Sequence, residues 1–170
     1  INTGGVLDLN GNSESLSGLS GDASGIVDNP TATAVTLTVG NGLLTTVFNG
    51  SLRNSGGGSL TLVSANSQIV LGGTNTHSGG IMNNSSQITF NNSHAFGTGP
   101  LTVAGTRVNL NTGVNVTNEI VINANNAPIA SAAVVGSGTT GTTNVLSGPI
   151  TINAAANADS GHFGGNPSTL

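Results

Sequence analysis

Residues 71–113 read LGGTNTHSGGIMNNSSQITFNNSHAFGTGPLTVAGTRVNLNTG. This stretch holds a single charge, Arg107, and no run at helical spacing. Short runs in which aliphatic and polar residues alternate give way again and again to Gly, Asn and Ser. Alternation over a few residues is the period of a half-buried strand, and Gly, Asn and Ser are the residues that turn a chain sharply. The stretch therefore reads as one repeat of a stacked β-structure, and a repeat that builds a scaffold carries no reaction on its face.

The same strand core recurs along the chain with Thr between two apolar residues: Leu37-Thr38-Val39, Leu60-Thr61-Leu62, Ile88-Thr89-Phe90, Leu101-Thr102-Val103 and Ile150-Thr151-Ile152. Successive strand side chains point to opposite faces, so the apolar pair is expected inside and each Thr outside. The first residues of these cores are 23, 28, 13 and 49 positions apart. Intervals near one value, its half and its double fit a solenoid of about 20–25 residues per coil, with two or three strands in each. The expected architecture is an all-β solenoid with parallel strand stacking.

The turns fit that reading and also supply its rival. Asn10-Gly11, Asn41-Gly42 and Asn49-Gly50 tolerate positive φ where the chain swings between strands. Such pairs in isolation favour β-hairpins, which would give an antiparallel meander. Against the meander stand long Gly-rich loops such as Asn54-Ser55-Gly56-Gly57-Gly58. Pro100 and Pro149 each open a strand core, where a missing N–H is tolerated, and are expected at the same corner of different coils.

Composition supports a folded chain: 35% of residues are hydrophobic and the formal net charge is only −4. A disordered segment would pair few aliphatics with high charge. Without Cys, stability is expected to come from the sheet and its core rather than from disulfides. Arg53 and Arg107 make no basic patch, so nucleic acid is not an expected partner. No window approaches the ~18 apolar residues of a membrane helix, so membrane insertion of this segment is not expected. The opening INTGGVLDLN lacks the regions of a signal peptide and looks like an ordinary strand. Together with the uncapped close GGNPSTL, it suggests an excerpt or processed piece of a longer chain.

Asn75-Thr76-His77-Ser78-Gly79-Gly80, then Ile88-Thr89-Phe90, then Phe96-Gly97-Thr98-Gly99-Pro100-Leu101-Thr102-Val103, resembles the autotransporter-associated β-strand repeat of bacterial surface proteins. That pattern runs approximately N-T-Y-S-G-G-T, a strand, L-G-T-G-P and another strand. The likeness is densest over residues 60–113, with Leu7-Asp8-Leu9-Asn10-Gly11 and Leu146-Ser147-Gly148-Pro149-Ile150-Thr151 similar to flanking sections. His77 stands where the repeat usually has an aromatic residue, and Ile81 where it has Thr. The resemblance implies a right-handed parallel β-helix, exported and displayed or released outside a Gram-negative-type bacterium. It implies roles in adhesion, as a stalk or in export, with host or cell-surface glycans or proteins as partners. It carries over no catalytic residue.

Candidate chemistry is sparse against that background. Asp159-Ser160-Gly161-His162 places an acid, a hydroxyl and an imidazole within four positions, yet residues so close in sequence seldom reach triad geometry, and a polar turn is the expected reading. Asp8, Glu14, Asp22 and Asp28 invite a calcium site or a glycosidase pair but lack an EF-hand or calcium-repeat spacing. Glu119 and Asp159 stand apart. His77 and His94 have no partner set for zinc and are expected in turns with local hydrogen bonds. Phe48, Phe90, Phe96 and Phe163 are expected in the core rather than on a sugar-stacking platform. Thr31-Ala32-Thr33, Thr36-Leu37-Thr38 and Thr74-Asn75-Thr76 do not recur at a coil period, which argues against an ice-binding face.

No catalytic, cofactor or metal residue is therefore expected, and the chain is read as a non-enzyme. The favoured function is an extracellular structural or adhesive scaffold. A filament subunit whose coils stack end to end is the alternative, and a carbohydrate-active β-helix enzyme a third.

Overall fold

The structure is a computed structural model that describes residues 1–40, 45–84, 86–104, 107–123, 133–136, 142–153 and 162–165; for 133 and 162–165 it describes the backbone alone. Its strands begin with β1 (Val6–Asp8), β2 (Glu14–Leu16), β3 (Ile26–Asp28), β4 (Val35–Val39), β5 (Thr45–Phe48) and β6 (Ser51–Arg53). They continue with β7 (Leu60–Ala65), β8 (Gln68–Leu71), β9 (Ile81–Asn84), β10 (Gln87–Phe90), β11 (Leu101–Val103) and β12 (Arg107–Leu110). The last are β13 (Asn115–Val116), β14 (Ile120–Asn123), β15 (Ala133–Gly136), β16 (Val145–Leu146), β17 (Ile150–Asn153) and β18 (His162–Gly165). No helix occurs among the described residues.

These strands wind into a solenoid with three faces. One face holds β1, β3 and β6 and resumes as β13 and β16; the next stacks β2, β4, β7, β9, β11, β14 and β17; the last stacks β5, β8, β10, β12, β15 and β18. Each strand pairing is parallel, which overturns the hairpin meander that the Asn-Gly pairs allow. Asn10-Gly11 does turn with positive φ at both residues (46° and 75°). Gly50 is needed for another reason: a Cβ there would lie 2.1 Å from the Gly25 carbonyl oxygen. Asn41-Gly42 lies outside the described residues.

The register explains the uneven spacing of the Thr-centred cores. Four of them stack on the seven-stranded face, whereas Ile88-Thr89-Phe90 belongs to β10 on the adjoining one. Coil length also varies. Ile81 pairs with Leu101, 20 positions on, Thr45 with Gln68, 23 on, and Ile120 with Ile150, 30 on. Pro100 and Pro149 mark one corner of two coils, as their sequence context predicts: their carbonyls accept the N–H groups of Ile81 and Ile120 at the entry to strands of one stack.

Like residues fall into ranks down the interior. Leu37, Leu62, Ile81, Leu101, Ile120 and Ile150 form one rank, and Phe48, Leu71, Phe90 and Leu110 another. Leu37, Leu62, Leu101, Ile120, Phe48, Leu71 and Phe90 are essentially sealed from solvent. Burial of each such side chain stabilises the fold by roughly 1.5–3 kcal/mol. Phe90 and Phe96 stack with ring centroids 3.9 Å apart, so the described phenylalanines are core residues. Phe163 has no described side chain.

Two expectations about burial are corrected. Ile150 and Ile152, expected in the core, are 45% and 52% exposed. Among the described residues their strand, β17, is the last of its stack and pairs with β14 alone. Thr38, Thr61, Thr89 and Thr102 do face outward but are half-buried, because side chains of adjacent rungs crowd each of them; Thr151 is exposed.

Candidate functional site

What the solenoid concentrates is polar groups at its corners, and these groups are spent on joining coils. Asn75 is buried after β8, where Gly73 passes too close to the Asn49 and Gly50 carbonyls for any side chain. Its Oδ1 accepts the Leu52 N–H of the coil below (2.8 Å) and its Nδ2 donates to the Ala95 carbonyl of the coil above (2.7 Å). The side-chain amide replaces a rung of strand pairing where the backbone turns. Asn118 Nδ2 donates to the Gly97 and Gly99 carbonyls of the coil below, and Asn144 joins the Val114 N–H to the Leu110 carbonyl.

A second polar seam runs down the corner between β7 and β8 and between β9 and β10. Ser86 Oγ lies 2.7 Å from Ser64 Oγ and 2.7 Å from Asn83 Oδ1, while Asn83 Nδ2 donates to the Arg107 carbonyl. Ser64, Asn83 and Ser86 are all buried. Alternating polarity gave no warning of these buried amides and hydroxyls, since Ser64 and Asn83 take inward positions that aliphatic residues fill in neighbouring rungs. The available signal was the Asn and Ser that recur after strand cores.

The acidic candidates do not converge. Asp8 caps its own turn by accepting the Asn10 N–H, and Glu14 lies exposed on β2. Asp22 accepts from the Ser24 hydroxyl and N–H and from the Thr3 hydroxyl, which together hold its carboxyl below the usual value. Asp28 is buried against β6. Burial pushes its carboxyl up, but the Ser55 N–H and hydroxyl and the Arg53 guanidinium outweigh this and hold it low. Arg53 Nε lies 2.9 Å from Asp28 Oδ2. Among the described residues no three His, Cys, Asp or Glu side chains gather where a metal ion could be held. Glu119 and His94 are exposed. Asp159, Ser160 and Gly161 and the His162 side chain lie outside the described residues.

His77 departs from its expected place in a turn. Its ring is fully buried (0% exposed), and neither Nδ1 nor Nε2 has a hydrogen-bond partner. Burial lowers its pKa to about 4; the Leu52 and Gly80 backbones oppose this weakly, and neither completes a hydrogen bond to the ring. The imidazole is neutral at neutral pH and fills an apolar core position. The chain matches no protein-family model, and neither a curated protein nor a solved structure shows significant similarity to it.

Proposed function

We propose that this chain is a non-catalytic scaffold segment of an exported bacterial surface protein, with a structural or adhesive role outside the cell. The observation that carries this reading is where the buried polar side chains go. Asn75, Asn83, Ser64 and Ser86 are consumed in coil-to-coil bonds, and the outward ranks of the seven-stranded face are Ser, Thr, Val, Ala, Met and Asn without a charge. A rod built this way presents an uncharged face suited to length and contact rather than turnover. His77, sealed in the core, fits the position that is aromatic in the autotransporter-associated repeat it resembles. No helix of the described residues is long and apolar enough to cross a membrane.

The filament alternative draws on Ile150 and Ile152, which leave the last rung of the seven-stranded face apolar and open. Glu14 at the opposite end of that stack opposes it, because head-to-tail stacking would press a carboxylate onto Ile150. The scaffold reading is the stronger.

Antibody labelling of intact producing cells tests it. Labelling of this segment without permeabilisation is expected, together with no turnover across a panel of polysaccharides. A strictly internal protein, or glycan cleavage lost on a single polar substitution, would overturn it.

A further inference from the structure

We infer that His77 is an acid-sensitive latch on the strandless corner formed by residues 75–77 of its coil and 95–98 of the next: gaining a proton, the buried imidazole can no longer be held, and that corner opens locally while the strand rungs on either side persist. The inference begins with how this corner is tied. On the face that carries β6 below and β13 above, the described backbone at 75–77 and 95–98 forms no strand. The Thr76 and His77 N–H groups donate to the Leu52 carbonyl, the Asn75 N–H donates to the His94 carbonyl, and the Thr98 N–H (2.9 Å) and hydroxyl donate to the His77 carbonyl. The Asn75 side-chain amide spans from Leu52 to Ala95, and Asn118 donates to the Gly97 carbonyl. His77 thus bonds the coil below through its N–H and the coil above through its carbonyl, with its ring between them.

The ring is closed in by Gly97, whose φ is +70°. A Cβ on Gly97 would lie 2.7 Å from His77 Nδ1 and Cε1, so only glycine fits over the imidazole. A protonated imidazole carries two N–H donors and needs two acceptors or an anion. The described surroundings fall short of this: the Leu52 and Gly80 carbonyls are near the ring but complete no hydrogen bond with it, and the Gly80 carbonyl already accepts the Leu62 N–H. The Leu52 carbonyl already accepts two backbone N–H groups.

Charged groups on the packed elements give no compensation. Arg53 of β6 points outward and is paired with Asp28 of β3; His94 in the overlying segment and Glu119 beyond it are exposed; and no charge acts on the His77 ring. Burying an unpaired charge is costly enough that the group either stays neutral or leaves the core.

The direction follows from linkage. In the opened corner the imidazole has the ordinary value near 6.5, and in the closed corner about 4. The opened form binds the proton first. As pH falls from about 6.5 toward 4, the opening equilibrium should rise about tenfold per pH unit. Above 6.5 it should be flat.

Amide hydrogen exchange on the whole chain, corrected for the intrinsic pH dependence of exchange, tests this. The Thr98 and Asn75 N–H groups should lose protection about tenfold per pH unit between 6 and 4.5, while Val108 and Leu110 keep theirs. In His77→Phe the Thr98 amide should be flat over the same range, and His94→Phe should behave as wild type. If His77→Phe does not fold, the His77 ring titration followed by NMR in the wild-type chain decides instead. A midpoint near 6.5 in the folded protein, or unchanged acid sensitivity in His77→Phe, would overturn the inference.

Discussion

Glu14 stands in register with Leu37, so a carboxylate begins the inward rank that every later rung of the seven-stranded face fills with Leu or Ile. A charge at an inward position of an edge strand is a recognised guard against edge-to-edge association. Here it tells the two ends of the stack apart. The β17 end offers Ile150 and Ile152 to an incoming rung, and the β2 end offers a group that would have to give up its water.

Glu14→Leu is accordingly expected to promote end-to-end association. Sedimentation of the purified chain over a concentration series should show the variant shifting to higher mass while the parent shifts less. Identical distributions would show that Glu14 does not guard this edge.

Within the stack, sensitivity to truncation should follow burial rather than the Thr-centred pattern. Leu62→Ala or Leu101→Ala empties a sealed position and should cost roughly 2–5 kcal/mol. Ile150→Ala, at a half-open rung, should cost less than about 1 kcal/mol. Urea midpoints at constant slope would compare them. Equal losses at Leu101 and Ile150 would mean that the last rung is packed as tightly as the middle ones.

The difference between those two positions also marks what the sequence could convey. Thr between apolar residues reports which side chains of a strand share a face, so the interior ranks were legible at Leu37, Leu62 and Leu101. The pattern is blind to whether a rung lies above, so Ile150 read the same as Leu101. It is equally blind to which face a core joins, and Ile88 broke the apparent period for that reason. At His77 a local turn motif suggests a ring held by local hydrogen bonds; the Leu52, Gly80 and Gly97 backbones that enclose it come from other coils or from beyond the turn, and nothing adjacent in sequence announces them.

Asn75 should matter more to stability than any acidic residue of the chain. Removing its amide leaves the Leu52 N–H and the Ala95 carbonyl unpaired in the core, and each such group costs about 1–3 kcal/mol. Asn75→Ala is expected to lower stability by roughly 2–5 kcal/mol, against little change for Asn84→Ala on the exposed side of β9. Denaturant unfolding of both variants checks this. A loss at Asn75 no greater than at Asn84 would mean that the amide does not join the coils.

The acid limb of stability should contain a contribution from Asp28 that lies below the window of His77. Ser55 and Arg53 favour the ionised carboxylate over the opposing effect of burial, so its folded pKa lies beneath the ordinary 3.8. A depressed carboxylate contributes stability that is complete above the unfolded value and disappears as pH falls through the folded one. Arg53 is 42% exposed, which screens the pair, so about 1–2 kcal/mol is the expected scale. Asp28→Asn should therefore be less stable than the parent by that amount at pH 7, keep the same gap at pH 5, and close it near pH 2. Since His77 acts between about 6.5 and 4, the parent and Asp28→Asn should lose stability in parallel across that interval. Urea titrations at pH 7, 5, 3.5 and 2 separate the two groups. A gap that persists undiminished at pH 2 would show that the carboxylate charge of Asp28 is not what binds β3 to β6.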